Sequence, residues 1–90
     1  MAIEGMDIAG VQAIVTKLNG QIKALESVRT SVNSAVSSAT SVWKGPDVAK
    51  FQADWQSHQA SLQRAEQAIT ELVTKAKSNI AQQQQTSNSY

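Results

Sequence analysis

The chain has 90 residues, of which 41% are apolar and only 4% aromatic, and its formal net charge is +1. A chain of this length forms one small domain with a marginal core, which favours stabilisation by a partner. The nearly balanced charge gives no electrostatic basis for binding nucleic acid or an anionic membrane. The absence of cysteine excludes disulfides and thiolate metal ligands.

The first predicted element is a long helix from about Asp7, which can serve as an N-cap, to about Val42. Its apolar residues recur in alternating steps of four and three, the heptad pattern of a packed seam. The seam consists of Val11, Val15, Leu18, Ile22, Leu25, Val32, Val36, Ala39 and Trp43, with Arg29 at its one polar position. Arg29 either forms an ion pair with the other helix or extends to solvent.

A second apolar column stands one residue before this seam, at Ile14, Val28, Ala35 and Val42. It makes the apolar face of the helix broader than a single partner helix would cover. We therefore predict that these four residues form a dimer interface. The Ser/Thr cluster between Ser27 and Ser41 is either a solvated face or a small-residue surface that lets another helix approach closely.

The only strong break in the chain is Trp43-Lys44-Gly45-Pro46-Asp47. Gly45 can adopt the left-handed conformation that ends a helix, and the following proline prevents continuation. The next helix is capped by Asp47 or entered through Pro46. We expect a turn at residues 43–47.

The second predicted helix extends from about Asp47 to about Ala81. Its predicted seam is Val48, Phe51, Trp55, His58, Leu62, Ala65, Ile69, Leu72 and Ala76. Val73 and Ile80 extend this apolar face near the end of the helix. A short connection makes two long helices antiparallel neighbours. The expected fold is all-α, an antiparallel two-helix hairpin over residues 1–81, followed by a flexible polar tail over residues 82–90.

No set of residues in this pattern indicates catalysis. His58 is the single histidine, and a two-helix hairpin offers no cleft in which it could act as a general base. It also lacks companions for a metal site. We expect no enzymatic activity, no cofactor, no metal and no small-molecule substrate, with His58 packed at the seam or its edge.

The tripeptide Trp43-Lys44-Gly45, at the middle of a two-helix chain and followed by Phe51 and Trp55, resembles the WXG family. These are small early secreted antigenic target-like proteins of type VII (ESX) secretion. The resemblance implies a homodimer, or a heterodimer with a related WXG protein, packed as a four-helix bundle. It also implies that Trp43 and Gly45 contribute to recognition by the secretion ATPase. Phe51 and Trp55 are expected to pack near the hairpin turn.

Proteins of this family are exported from the cytoplasm without a cleaved signal, and residues 1–7 lack the basic and apolar segments of a secretory signal. The family's C-terminal Tyr-Xaa-Xaa-Xaa-Asp/Glu motif is not present, since the only tyrosine is Tyr90. A partner, other features of the tail or a longer chain would have to supply it. The alternative interpretation is a coiled-coil adaptor or structural module that stays in the cytoplasm.

Overall fold

The computed structural model describes the backbone of residues 6–88 and the side chains of residues 6–85. Two helices, α1 (Ile8–Val42) and α2 (Pro46–Asn88), pack against each other along a rod of 70 × 17 × 16 Å. The predicted all-α helical hairpin is therefore confirmed. Neither helix is long and apolar enough over its described residues to cross a membrane.

Helix α1 begins and ends where its sequence predicts. The Asp7 carboxylate oxygen Oδ1 accepts a hydrogen bond from the Gly10 N–H at 3.0 Å, which satisfies one free donor of the first turn. At the other end, the Trp43 N–H donates to the Ala39 carbonyl at 2.9 Å, and Trp43 itself has an extended backbone. The chain thus leaves the helix at the first residue of the tripeptide.

Gly45 reverses the chain with a φ of +116°, a conformation that disfavours any residue with a Cβ. Apart from Gly45 itself and its two chain neighbours, no residue has an atom within 4 Å of the position that a Cβ would occupy, so the need for glycine is conformational and not steric. Pro46 is the first residue of α2, where its missing N–H costs nothing. Asp47 lies in the first turn, where its negative charge is favourable.

The predicted end of α2 near Ala81 is wrong, because the helix continues to Asn88. The glutamine run contains no helix breaker, and glutamine has good helix propensity. Gln83 is half-buried, so burial also extends beyond the predicted end. The flexibility of the tail stays a prediction, and Tyr90 lies outside the described residues.

The seam of α1 is largely where the heptad pattern puts it. Every predicted seam residue from Val11 to Ala39, including Arg29, is buried or half-buried, whereas Trp43 remains 38% exposed. The most deeply buried cluster is formed by Val15, Val73 and Ile80. It lies at the open end of the hairpin, where α1 begins and α2 ends.

The predicted seam of α2 is wrong at every second position. Phe51, His58, Ala65 and Leu72 are exposed. The residues that follow them in sequence take their places in the seam: Gln52, Gln59, Glu66 and Val73. The remaining predicted positions, Val48, Trp55, Leu62, Ile69 and Ala76, are half-buried.

The physical reason for this difference is the charged group in the α1 seam. Arg29 pairs with Glu66, and this pairing turns Glu66 inward and Ala65 outward. The same rotation of α2 about its axis brings Val73 and Ile80 into the core. Hydrophobicity alone favoured Phe51 and Leu72 for the seam, but the pairing of the half-buried Arg29 and the packing of the open end determine the rotation.

Candidate functional site

The rotation of α2 creates an apolar side on the hairpin. On both helices, the residue that precedes every second seam residue in the sequence is exposed, and these residues form a column along the helix. In an antiparallel pair of helices, the two columns lie on the same side of the rod. We define the apolar side by these residues: Ile14, Gln21, Val28, Ala35 and Val42 of α1, and Phe51, His58, Ala65, Leu72 and Asn79 of α2. It contains no lysine, arginine, aspartate or glutamate.

The exposed large hydrophobic residues of the described chain concentrate on the apolar side. Ile14 is 54% exposed, Val28 52%, Val42 87%, Phe51 42% and Leu72 57%. The other one, Trp43, adjoins it at the turn and is 38% exposed. Isolated exposed hydrophobic residues are ordinary, but a continuous apolar surface marks an interaction site.

The opposite side of the rod is polar. The columns that flank the seam there are Gln12, Asn19, Glu26, Asn33 and Thr40 of α1, and Gln56, Gln63, Thr70, Lys77 and Gln84 of α2. Gln12 and Asn19 line a shallow groove together with Lys77, which shows that the two polar columns share one side. The hairpin therefore has one lateral side suited to a protein partner and one suited to water.

The predicted dimer-interface residues of α1 all belong to the apolar side, and each is exposed in the single chain. Sequence reasoning missed the contribution of α2, because it assigned Phe51, Ala65 and Leu72 to the seam. The signal that could have found it is Arg29, since a cation that stays in the seam is stabilised by an inward-facing acid such as Glu66.

Arg29 and Glu66 form a bidentate ion pair across the hairpin. The Arg29 Nε lies 2.9 Å from Oε2 of Glu66, and a terminal guanidinium nitrogen donates to Oε1 at 3.2 Å. The hydrogen bond with Glu66 raises the pKa of Arg29. Desolvation opposes this shift, whereas the negative charges of Glu66 and Glu26 add to it. The part of the stabilisation that depends on the Arg29 charge is therefore fully present at neutral pH and is lost as the pH rises through this raised pKa.

Polar residues also occupy the seam between this ion pair and the turn. Gln52 and Gln59 are half-buried there, and the side-chain oxygen Oε1 of Gln59 is buried without a hydrogen-bond partner. An unpaired buried acceptor loses its hydration without compensation. This half of the seam therefore stabilises the hairpin less than the apolar open end does.

We expect Gln59→Leu to stabilise the hairpin by about 1–2 kcal/mol, because leucine fills a similar volume and leaves no acceptor unpaired. The urea midpoint from circular dichroism measures the change. Gln63→Leu, at an exposed position of the same helix, is the matched control and should leave the midpoint nearly unchanged. A Gln59→Leu midpoint at or below that of the parent chain would contradict this account of the seam.

The turn carries the Trp-Xaa-Gly tripeptide at one tip of the rod. The Trp43 and Phe51 rings are in contact, with centroids 5.2 Å apart and planes tilted by 48°. Lys44 folds back, and its Nζ donates to the Thr40 carbonyl at 3.0 Å. Parts of both rings remain exposed, so the tip presents an aromatic surface.

Trp55 lies farther from the turn than Phe51 and is half-buried in the seam. Its indole Nε1 donates to the Asn33 side-chain oxygen at 3.2 Å, a contact between the helices. The structure thus brings Phe51 to Trp43 at the turn, whereas Trp55 links the two helices further along the rod.

His58 is exposed on the apolar side and not packed in the seam. Within the described residues, no group of three or more His, Cys, Asp or Glu residues is placed to hold a metal ion. His58 is therefore one of the residues that form the apolar side. The arrangement as a whole offers binding surfaces, namely one lateral apolar side and one aromatic tip.

No protein-family model, curated protein or solved structure matches this chain.

Proposed function

We propose that this protein is a non-enzymatic, secreted helical-hairpin protein that is exported by a type VII (ESX) secretion system. It is either a substrate with an effector role or a chaperone partner that is secreted together with another protein. It acts by dimerisation and by contacts with other proteins. Before export it resides in the cytoplasm, and it leaves the cell without a cleaved signal peptide.

The observation that carries this proposal is the position of the tripeptide Trp43-Lys44-Gly45. It coincides with the connection between α1 and α2, and the Trp43 ring remains partly exposed at the tip. A secretion ATPase that reads a Trp-Xaa-Gly turn would find the indole held by Phe51 and the chain reversed at Gly45. The resemblance to the WXG family supplies the function, and the hairpin geometry supports it.

The apolar side supports the dimer that this function involves. Ile14, Val28, Ala35 and Val42 would contact the other subunit, together with the exposed column of α2. Two hairpins joined in this way make a four-helix bundle, in which the broad apolar face is covered. A cytoplasmic coiled-coil adaptor would use the same surface, so the surface alone does not separate the two functions.

The separating experiment is export from a bacterium with a type VII system. We expect the chain in the culture medium when the secretion ATPase is active and only in the cells when it is inactive. Trp43→Ala should strongly reduce export while the protein remains helical by circular dichroism. Ser41→Ala changes an exposed residue near the tripeptide that lies outside both the tripeptide and the apolar side, and it is the control.

A chain that stays with the cells in both backgrounds would contradict the proposed secretion and favour the adaptor. Export that is lost equally in Trp43→Ala and Ser41→Ala would contradict the specific role of the tripeptide. Protein level inside the cells is measured in parallel, which separates reduced export from degradation.

A further inference from the structure

We propose that the groove on the polar side of the hairpin binds the carboxyl-terminal end of a peptide whose last residue is aliphatic. The groove lies between α1 and α2 near the open end and has a volume of about 360 Å³, within the range of ligand-sized clefts. It is on the side of the rod opposite the apolar side. A ligand can therefore reach it whether or not a partner covers the apolar side, and the inference depends neither on dimerisation nor on export.

The floor of the groove is apolar and held by the core of the hairpin. It is formed by Val15 of α1 and Ile80 of α2, each 7% exposed. Both residues belong, with Val73, to the most deeply buried cluster. A floor that is already packed loses little conformational entropy when a ligand binds. An aliphatic group that lies on this floor would remove its own apolar surface from water.

The rim of the groove is polar and has unused hydrogen-bonding capacity. Gln12, Thr16 and Asn19 contribute to it from α1, and Lys77 contributes from α2 as the only charged residue of the lining. The Thr16 hydroxyl already donates to the Gln12 backbone carbonyl at 3.2 Å. Within residues 6–85, the side chains of Gln12, Asn19 and Lys77 have no hydrogen-bond or ion-pair partner. Two amides and one ammonium group are thus available to a ligand.

The register of the helices orders these groups along the groove. Arg29 pairs with Glu66, so about ten residues closer to the open end Asn19 lies level with the residue before Lys77. Asn19 and Lys77 therefore stand at the same height on opposite walls, at the inner end of the groove. Gln12 lies two helical turns farther out on α1, about 10 Å from Asn19. The apolar floor lies between these two levels.

This order matches the end of an extended peptide. The terminal carboxylate would accept hydrogen bonds from the Lys77 ammonium and the Asn19 amide. The aliphatic side chain of the last residue would lie on the floor. An extended chain advances about 3.3 Å per residue, so a peptide group about three residues from the end reaches Gln12, whose amide both donates and accepts. Capture of a terminal carboxylate is a recurring mode of peptide recognition.

A fatty acid would use only part of the same groove. Its carboxylate suits Lys77 and its hydrocarbon chain suits the floor, but that chain would cover the Gln12 amide without offering it a partner. A polar group that loses water and gains no hydrogen bond is unfavourable. A peptide group gives the Gln12 amide a partner, so the lining favours a peptide.

NMR titration of the 15N-labelled chain with the tripeptide N-acetyl-Ala-Ala-Leu, which has a free carboxylate, tests the site. The side-chain amide resonances of Gln12 and Asn19 should shift and saturate at millimolar peptide. The same peptide with a C-terminal amide lacks the charge, and N-acetyl-Ala-Ala-Gly lacks the aliphatic side chain. Each of these controls should bind more weakly by about threefold or more.

A pair of matched variants tests the role of Lys77. Lys77→Gln should weaken binding of the tripeptide acid by about threefold to fivefold, the range for an ion pair at a solvated surface, and should leave binding of the tripeptide amide unchanged. Lys75→Gln removes the same charge from an exposed position of α2 outside the groove lining and should change neither. Both lysines are exposed, so circular dichroism should show an intact hairpin in both variants.

Four results would overturn the inference. The first is the absence of saturable shifts at Gln12 and Asn19 up to about 20 mM peptide. The second is equal binding of the acid and the amide, and the third is an equal loss of binding in Lys77→Gln and Lys75→Gln. The fourth is binding of octanoate as tight as that of the tripeptide, which would assign the groove to a fatty acid.

Discussion

Val73→Ala should destabilise the hairpin by about 2 kcal/mol, a large fraction of the stability of a 90-residue chain. Val73 is 5% exposed and contacts the cluster formed with Val15 and Ile80 at the open end. Removing two carbons there leaves a cavity that two packed helices can only partly close. Thermal unfolding followed by circular dichroism at low protein concentration measures the loss.

The matched control is the preceding residue, Leu72→Ala. Leu72 is 57% exposed on the apolar side, so its truncation should change the stability of the single hairpin by less than about 0.5 kcal/mol. In the proposed dimer, however, Leu72 is covered, and the variant should lose stability that depends on protein concentration. Equal losses for the two variants at low concentration would contradict the rotation of α2 described above.

The second large effect is expected at the ion pair. Glu66→Ala should lower the melting temperature by roughly 5–10 °C, because Arg29 then lies in the seam without its partner. Glu71→Ala, which removes an exposed acid from the same helix, should have little effect. The melting temperatures of the two variants are compared by thermal unfolding at neutral pH, at both low and high salt.

The double variant Arg29→Leu/Glu66→Leu should recover most of the stability that Glu66→Ala loses. Replacing a paired charge and its partner by apolar side chains removes the desolvation cost of both groups. A double variant as unstable as Glu66→Ala would show that the pair contributes in some other way. A normal melting temperature for Glu66→Ala itself would contradict the inward position of Glu66.

The sequence was sufficient for the hairpin and for most of α1. Asp7, the heptad series from Val11 to Ala39 and the Gly45-Pro46 break are local signals, and each has its structural counterpart. These features depend on capping, on periodicity and on the conformational preferences of glycine and proline. Such preferences act within a few residues and can be recognised without knowledge of the packing.

The seam of α2 could not be predicted in the same way, because its choice depends on the facing helix. Phe51 and Ala65 are more hydrophobic than Gln52 and Glu66, so an argument from α2 alone places them inside. Their exposure follows from Arg29, which is 37 residues away from Glu66 in sequence. The apolar side was accordingly predicted only for α1, where Ile14, Val28 and Val42 stand outside a seam that is already complete.

The location of the apolar cluster bears on how a force separates the helices. In an antiparallel hairpin, the start of α1 and the end of α2 lie at the same end of the rod. Val15, Val73 and Ile80 pack together at that end. A motor protein that pulls on the start of α1 or on the end of α2 therefore breaks the contacts of this cluster first. Beyond them, the ion pair, the buried Val36 and the glutamine-containing part of the seam still resist opening toward Gly45. The largest share of the work therefore falls at the start.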